Sequence, residues 1–209
     1  MFGFWKYYCH EIYSVLTVLF ILGSALFVTP DFTQKLALVY AFVFLLHEWE
    51  ENNYPGGFFD VLFGDIAGLN KEEFGKKLKE SRRFVYVLLV VLTFGPFLFH
   101  SHTWLILPIV YLGLIEGMVH SVIMPRVILR DRYYTPGMVT AVIQFALSVC
   151  TLCVVIRMDC VVVWQYVAAF FLLLLGLMYM AFNGIRSNGF RPKDVFLSAK
   201  QNIRMLRNK

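Results

Sequence analysis

The sequence predicts an all-α fold: a polytopic membrane helix bundle with six transmembrane helices, forming one integral membrane domain over 1–209. Three observations carry this. Hydrophobic residues make up 59% of the 209 and charged residues only 16%, whereas a soluble domain stands near half and a quarter. The apolar residues come in long blocks without polar alternation, as in helices surrounded by lipid. With six spans, 17 of the 19 Lys and Arg fall on one side, in alternate connections and both termini. That asymmetry is the positive-inside pattern and predicts cytoplasmic termini. It also accounts for the net charge of +5 without a nucleic-acid partner.

The spans run in order along the chain. The first, about 12–28, is closed by Pro30. The second, about 32–47, ends in His47-Glu48-Trp49-Glu50-Glu51. The third, about 84–99, is loosened at Gly95-Pro96. The fourth, about 104–124, has Pro108 in its first turns and Pro125 at its end. The fifth is about 138–156 and the sixth about 161–182. The connection 48–83 is the longest. Pro55-Gly56-Gly57 breaks the helix after the motif. Phe58, Phe59, Val61, Leu62, Phe63 and Ile66, interrupted by Asp60 and Asp65, suit a cytoplasmic interfacial segment lying flat at the headgroups. Lys71–Arg83 reads as a basic amphipathic helix leading into span three, its charges solvated near anionic lipid. The tail 186–209 is basic and cytoplasmic, a short surface helix. The N-terminus lacks the small-residue cleavage site of a signal peptide. Cys150-x-x-Cys153 lies inside an apolar block and reads as packing rather than as a redox or metal pair.

Polar residues inside the spans point to function, because an ionisable group in hydrocarbon is costly. At about 100° per residue, His47, Glu50 and Glu51 share one helical face, while Glu48 and Trp49 point elsewhere. Glu116 and His120, at i and i+4, share a face of span four. Gly113 and Gly117 beside them let another helix approach closely. Spans two and four both run inward, so the two pairs lie at matching depths. These helices are expected to be neighbours, with His47, Glu51, Glu116 and His120 converging on one pocket. Gln144 and Asn183 belong to the same polar layer. Tyr134-Thr135-Pro136-Gly137 forms a type II turn that aims Tyr134 back at the bundle. His100-x-His102 falls on the outer side and reads as a pair of ordinary surface histidines.

The motif and several residues downstream of it resemble the HXXEE-motif family of membrane proteins, multi-span, mostly bacterial and uncharacterised. His47-x-x-Glu50-Glu51 carries the resemblance, with His120 and Tyr134-Thr135-Pro136-Gly137 in the places of a later His and a Tyr-x-Pro-Gly turn. The likeness covers about Phe32 to Ala146. Glu116 departs from it, standing where the family commonly has Asn. The resemblance implies a multi-pass protein of a bacterial inner membrane and no known reaction.

Chemistry comes from the residues. Glu and His at helical spacing on facing helices are how bundles supply ligands to metals. Mixed N/O ligation suits a divalent ion: zinc, manganese or non-haem iron. The expected ligands are His47, Glu51, Glu116 and His120, with Glu50 as general base and Tyr134 or Gln144 orienting substrate. Spacing alone leaves open which Glu ligates and which acts as base. The first reading is a metal-dependent, hydrolase-like enzyme acting on a membrane lipid or another hydrophobic small molecule. The alternatives are a metal-ion or proton-coupled transporter, a metal-free acid/base lipid isomerase, and a scaffold in which the cluster is structural.

Overall fold

A computed structural model describes residues 8–68, 71–128 and 133–207. The described residues are mostly helical, joined by short turns and without strands. Lys6, Arg130, Arg132 and Lys209, on which the charge asymmetry partly rests, lie outside them, as do the side chains of 71–80. The helices are α1 (Cys9–Phe27), α2 (Phe32–Asn52), α3 (Lys71–Leu98), α4 (Leu107–Met118), α5 (Met138–Met158), α6 (Val163–Ser187) and α7 (Pro192–Arg207). Two π-helical stretches, Asp60–Ile66 and Val119–Ile128, and a 3-10 turn, Thr103–Ile106, complete them.

Among the described residues, five stretches are long and apolar enough to cross a membrane: α1, Ser81–Leu98 of α3, Thr103–Arg126, α5 and α6. This is the make-up of a multi-pass membrane protein. The surface agrees, since α1 is amphipathic in the inverted sense. It buries His10, Tyr13, Ser14, Thr17 and Ser24 and exposes Val15, Leu19, Leu22 and Leu26. An apolar exterior over a partly polar interior is stable only where the surroundings are themselves apolar. α2 is as long as α5, at 21 residues, but is not among the five because polar residues crowd its ends.

α2 is the hub of the bundle. Asp31 caps it, accepting from the Gln34 N–H at 2.9 Å while Gln34 Oε1 accepts from the Asp31 N–H at 3.1 Å. Ala37, Tyr40, Ala41 and Phe44 are fully enclosed, and α2 packs on α1, α3 and α5. Tyr40 Oη reaches Ser148 Oγ at 3.1 Å and Thr151 Oγ1 at 3.3 Å, tying α2 to α5. The helix runs unbroken through the motif and stops at Asn52. Gly56, at φ +73°, then donates to the Glu50 carbonyl, and a Cβ there would stand 2.9 Å from the Asn52 carbonyl oxygen. Only glycine fits this turn.

Two expectations are corrected, on the neighbour of α4 and on Pro125. The close neighbour of α4 is α5, not α2. A Cβ on Gly113 would run into Ser148 Oγ, and one on Gly117 into the Phe145 side chain. The small-residue stripe therefore serves α5. Pro125 also does not end its helix, which continues to Ile128 as a wider π coil. In an i→i+5 ladder the carbonyl that Pro125 leaves without a donor belongs to His120. Thr135 Oγ1 fills that vacancy at 2.9 Å. The segment after Gly57 is a π coil with Val61 and Ile66 buried against Met124. It closes over the bundle end, and α7 braces it through Ser198 Oγ to the Ala67 carbonyl (2.7 Å) and Asn202 Nδ2 to the Asp65 carbonyl (2.6 Å).

Candidate metal centre

Four side chains from two helices converge at the C-terminal end of α2. His47 and Glu51 sit one turn apart on α2. Glu116 ends α4, and His120 opens the π coil, where a widened turn re-aims its ring. His47 Nε2 lies 3.3 Å from Glu51 Oε1 and 3.9 Å from Glu116 Oε2. His120 Nε2 lies 3.0 Å from Glu51 Oε1 and 3.4 Å from Glu116 Oε2. One ligand atom from each residue falls within 4.8 Å of all the others. His120 is 0% exposed, His47 2% and Glu51 6%, while the Glu116 side chain is 26% exposed. The expected convergence is therefore present, carried by side chains rather than by close packing of α2 on α4.

The set fits a divalent ion. Ligand atoms about 2.0–2.2 Å from a tetrahedral metal stand roughly 3.3–3.6 Å apart, and the observed pairs bracket that separation. His120 Nε2 is near two carboxylate oxygens, yet its geometry makes a hydrogen bond to neither. Such an atom faces the middle of the group rather than any one member. Two carboxylates this close, the one on Glu51 buried and the one on Glu116 partly so, also repel unless positive charge lies between them.

The environment of His47 selects its tautomer. Thr140 Oγ1 donates to Glu50 Oε2 at 2.6 Å. With its one proton committed, that hydroxyl accepts from His47 Nδ1–H at 2.9 Å. The Nε2 lone pair of His47 is left facing the cluster, as in carboxylate-supported metal histidines. Glu50 itself is outside the group. Its carboxylate accepts from Val139 N–H (3.1 Å), Thr140 N–H (2.8 Å) and Tyr134 Oη–H (2.8 Å). It thus caps α5, whose own N-cap, Gly137, has no side chain to do so. Burial, then the Glu50 carboxylate it donates to, pushes the Tyr134 phenol well above its usual value. Tyr134 is therefore held as a donor.

The turn before α5 is the predicted type II turn, with the Met138 N–H bonded to the Thr135 carbonyl at 3.0 Å and Gly137 at φ +90°. Gly137 lies against the cluster. A Cβ there would stand 2.8 Å from Glu51 Cγ, 2.9 Å from His47 Cε1 and 3.0 Å from His120 Cε1.

His47, Glu51 and Glu116 line a cavity of about 240 Å3, whose remaining lining is mostly apolar and includes Phe44, Leu89, Leu112, Ile115 and Leu177. Phe58, just before the π coil, covers it with its ring 4.7 Å from that of His120. Glu48 also lines the cavity and is 4% exposed. Its carboxylate accepts from Asn52 Nδ2 at 3.0 Å. Spacing and composition do not mark Thr140, Gly137, Glu48 or Phe58 as site residues. Only Gly137, within the Tyr-x-Pro-Gly turn, carries a readable signal. Gln144 is fully buried with both amide atoms unpaired, and Asn183 donates to the Tyr179 carbonyl of its own helix. Neither lines the cavity. His100 and His102 lie elsewhere, and Cys150 and Cys153 are exposed and unbridged.

Comparison with known proteins gives one match. A family model described as a protein of unknown function with HXXEE motif matches residues 38–151. No curated protein and no solved structure matches.

Proposed function

The chain belongs to the family of proteins of unknown function with an HXXEE motif, and on that premise we propose that it is an intramembrane, metal-dependent enzyme acting on a hydrophobic substrate. One observation carries the reading. Two imidazole nitrogens and two carboxylate oxygens lie within 4.8 Å of one another, and His47, Glu51 and Glu116 of this group line a mostly apolar cavity large enough for part of a small molecule. His47, Glu51, Glu116 and His120 would hold the ion, with zinc, manganese and iron the candidates. Such an ion supplies Lewis acidity to a carbonyl or phosphoryl oxygen and to a water, which makes hydrolysis the simplest reaction class.

The chain's own groups do the rest. Glu50 and Thr140 act as positioning residues, fixing the ring and tautomer of His47. Glu50 is fully engaged with α5 and Tyr134, so the role of general base does not fall to it. Tyr134 steadies Glu50 from outside the cavity. Phe58 and the apolar wall exclude water, which strengthens every electrostatic interaction inside. The topology that accompanies this reading has α2 as a sixth span, with the 48–83 connection and both termini cytoplasmic, as the Lys and Arg distribution supports.

Elemental analysis of protein purified in mild detergent tests the reading. Near-stoichiometric zinc, manganese or iron is expected, and lost in His47→Ala. Metal content indistinguishable between wild type and that variant overturns it.

A further inference from the structure

A second cavity, of about 270 Å3, adjoins the one that holds the cluster. Phe59, Leu62, Val85 and Met180 line both. The second chamber is apolar almost throughout, with Phe63, Ile66, Ala181 and Ile185 in its wall and Val195 and Ala199 contributed by α7. The two chambers differ in kind: one has His47, Glu48, Glu51 and Glu116 in its wall, and the other offers nothing to a polar ligand but Ser81. The partition is adjustable. Met180 is an unbranched, flexible side chain. Phe59 belongs to the π coil's approach, stacks near Phe63 with centroids 6.1 Å apart, and has the Arg82 guanidinium 4.9 Å from its ring centroid. Arg82 and Phe63 thus steady Phe59, one of the four side chains at the boundary between the chambers.

Resting on the metal-enzyme reading for the polar chamber, we propose that the two cavities form one site for a single-chain acyl amphiphile. Its ester carbonyl lies at the His47–Glu51–Glu116–His120 group, and its alkyl chain passes Phe59 and Met180 into the second chamber. The occupant follows from the pairing of chambers. A molecule polar throughout gains nothing from the apolar one, and a hydrocarbon without a head leaves the polar one unmatched. One neck joining one apolar chamber to the polar one admits one chain. A two-chain lipid would have to leave its second chain outside.

Photolabelling tests this on the full chain in lipid nanodiscs. The probe is a monoacylglycerol with a diazirine at the end of its chain, mapped by mass spectrometry with unlabelled monoacylglycerol as competitor. Saturable labelling is expected on residues 62–67 and 180–185. Gly184→Leu fills the second chamber. A Cβ at that position meets only Ser81 Cβ at 3.9 Å, so the backbone admits it and the branch projects onward. Saturable labelling should fall roughly tenfold, the effect of excluding about two methylenes, while metal content stays at the wild-type level. Ala199→Leu fills the chamber from α7 and should act alike if Gly184→Leu expresses poorly. Labelling that is unsaturable and spread over lipid-facing Phe171 and Leu175 overturns the inference. So does saturable labelling that both variants leave unchanged, or equal labelling by a two-chain phosphatidylcholine carrying the same diazirine. Saturable labelling lost in the variants upholds the chamber even where elemental analysis finds no metal, a result that sinks the metal reading alone.

Discussion

The two ends of α2 each bring imidazole against carboxylate, and only one of them makes a site. At the start, Asp31 Oδ2 stands 2.5 Å from His100 Nδ1, with both side chains nearly half exposed. At the finish, His47, Glu51, Glu116 and His120 keep longer distances, 3.0–3.9 Å, with all but the partly exposed Glu116 almost wholly buried. The shorter contact is the less consequential one. An exposed pair exchanges water for a partner at little gain. A buried group of four has no water to return to, so its lone pairs must be matched by protons or by a metal. Residue type and proximity are alike at the two ends, and enclosure and convergence separate them.

The largest effect should come from removing the imidazoles at each end in turn. The double variant His47→Ala, His120→Ala should lose all bound metal, while His100→Ala keeps it. Equal metal in wild type and both variants would erase the distinction. Next is Gly137→Ala. It combines a left-handed backbone with contacts under about 3 Å to three site residues, and should destabilise by roughly 1–3 kcal/mol and lower metal content. Gly57→Ala is its control: the same backbone at φ +91° with nothing within 4 Å, costing about 1 kcal/mol. Thermal unfolding in detergent reads both, and identical shifts would deny that the cluster presses on Gly137.

A smaller effect is expected from Thr140→Val, which unties His47 Nδ1 and Glu50 together. Metal affinity should fall about 10–100-fold, as for other outer partners of metal histidines, and Thr140→Ser should restore it. A chelator competition measures this, and an unchanged affinity for Thr140→Val would remove the relay. The smallest effect belongs to the outer end. Asp31→Ala should cost about 0.5–2 kcal/mol through the lost cap and leave metal content alone. Burial would raise the Asp31 carboxyl, but the Gln34 N–H and His100 outweigh it and hold it below its usual value. The stabilisation it gives is therefore present above that usual value, and is lost as pH falls through the depressed one. Unfolding midpoints of wild type and Asp31→Ala should draw together in acid, and parallel curves would contradict the assignment.

Much of this is legible in the residues. His47 with Glu51, and Glu116 with His120, are i and i+4 pairs whose faces follow from helix geometry alone. Pro136-Gly137 specifies its turn by φ requirements that few other residues meet. The illegible parts are those where a helix is not an isolated cylinder. A helical wheel points Glu48 away from the site, but α2 is enclosed on every side at its end, so no face is idle. The π coil at Val119–Ile128 displaces His120 from an ideal wheel, and nothing but Pro125 marks it in sequence. Thr140 looks like any span-opening residue until Glu50, 90 positions earlier, is seen to bind it. The glycine stripe announces a close helix without saying which.

Glu50 capping α5 has a consequence for how the protein is made. Helices enter a membrane in the order in which the ribosome delivers them, and α2 is not among the stretches apolar enough to settle there by composition. When α2 emerges, its imidazole-matched carboxylate and its capping carboxylate have no partners from later helices, because His120, Tyr134 and Thr140 are still unsynthesised. α2 should therefore wait at the interface and seat fully only once α4 and α5 arrive. On that account the motif acts as a latch between early and late synthesis, and a completed cluster marks a chain that has finished assembling.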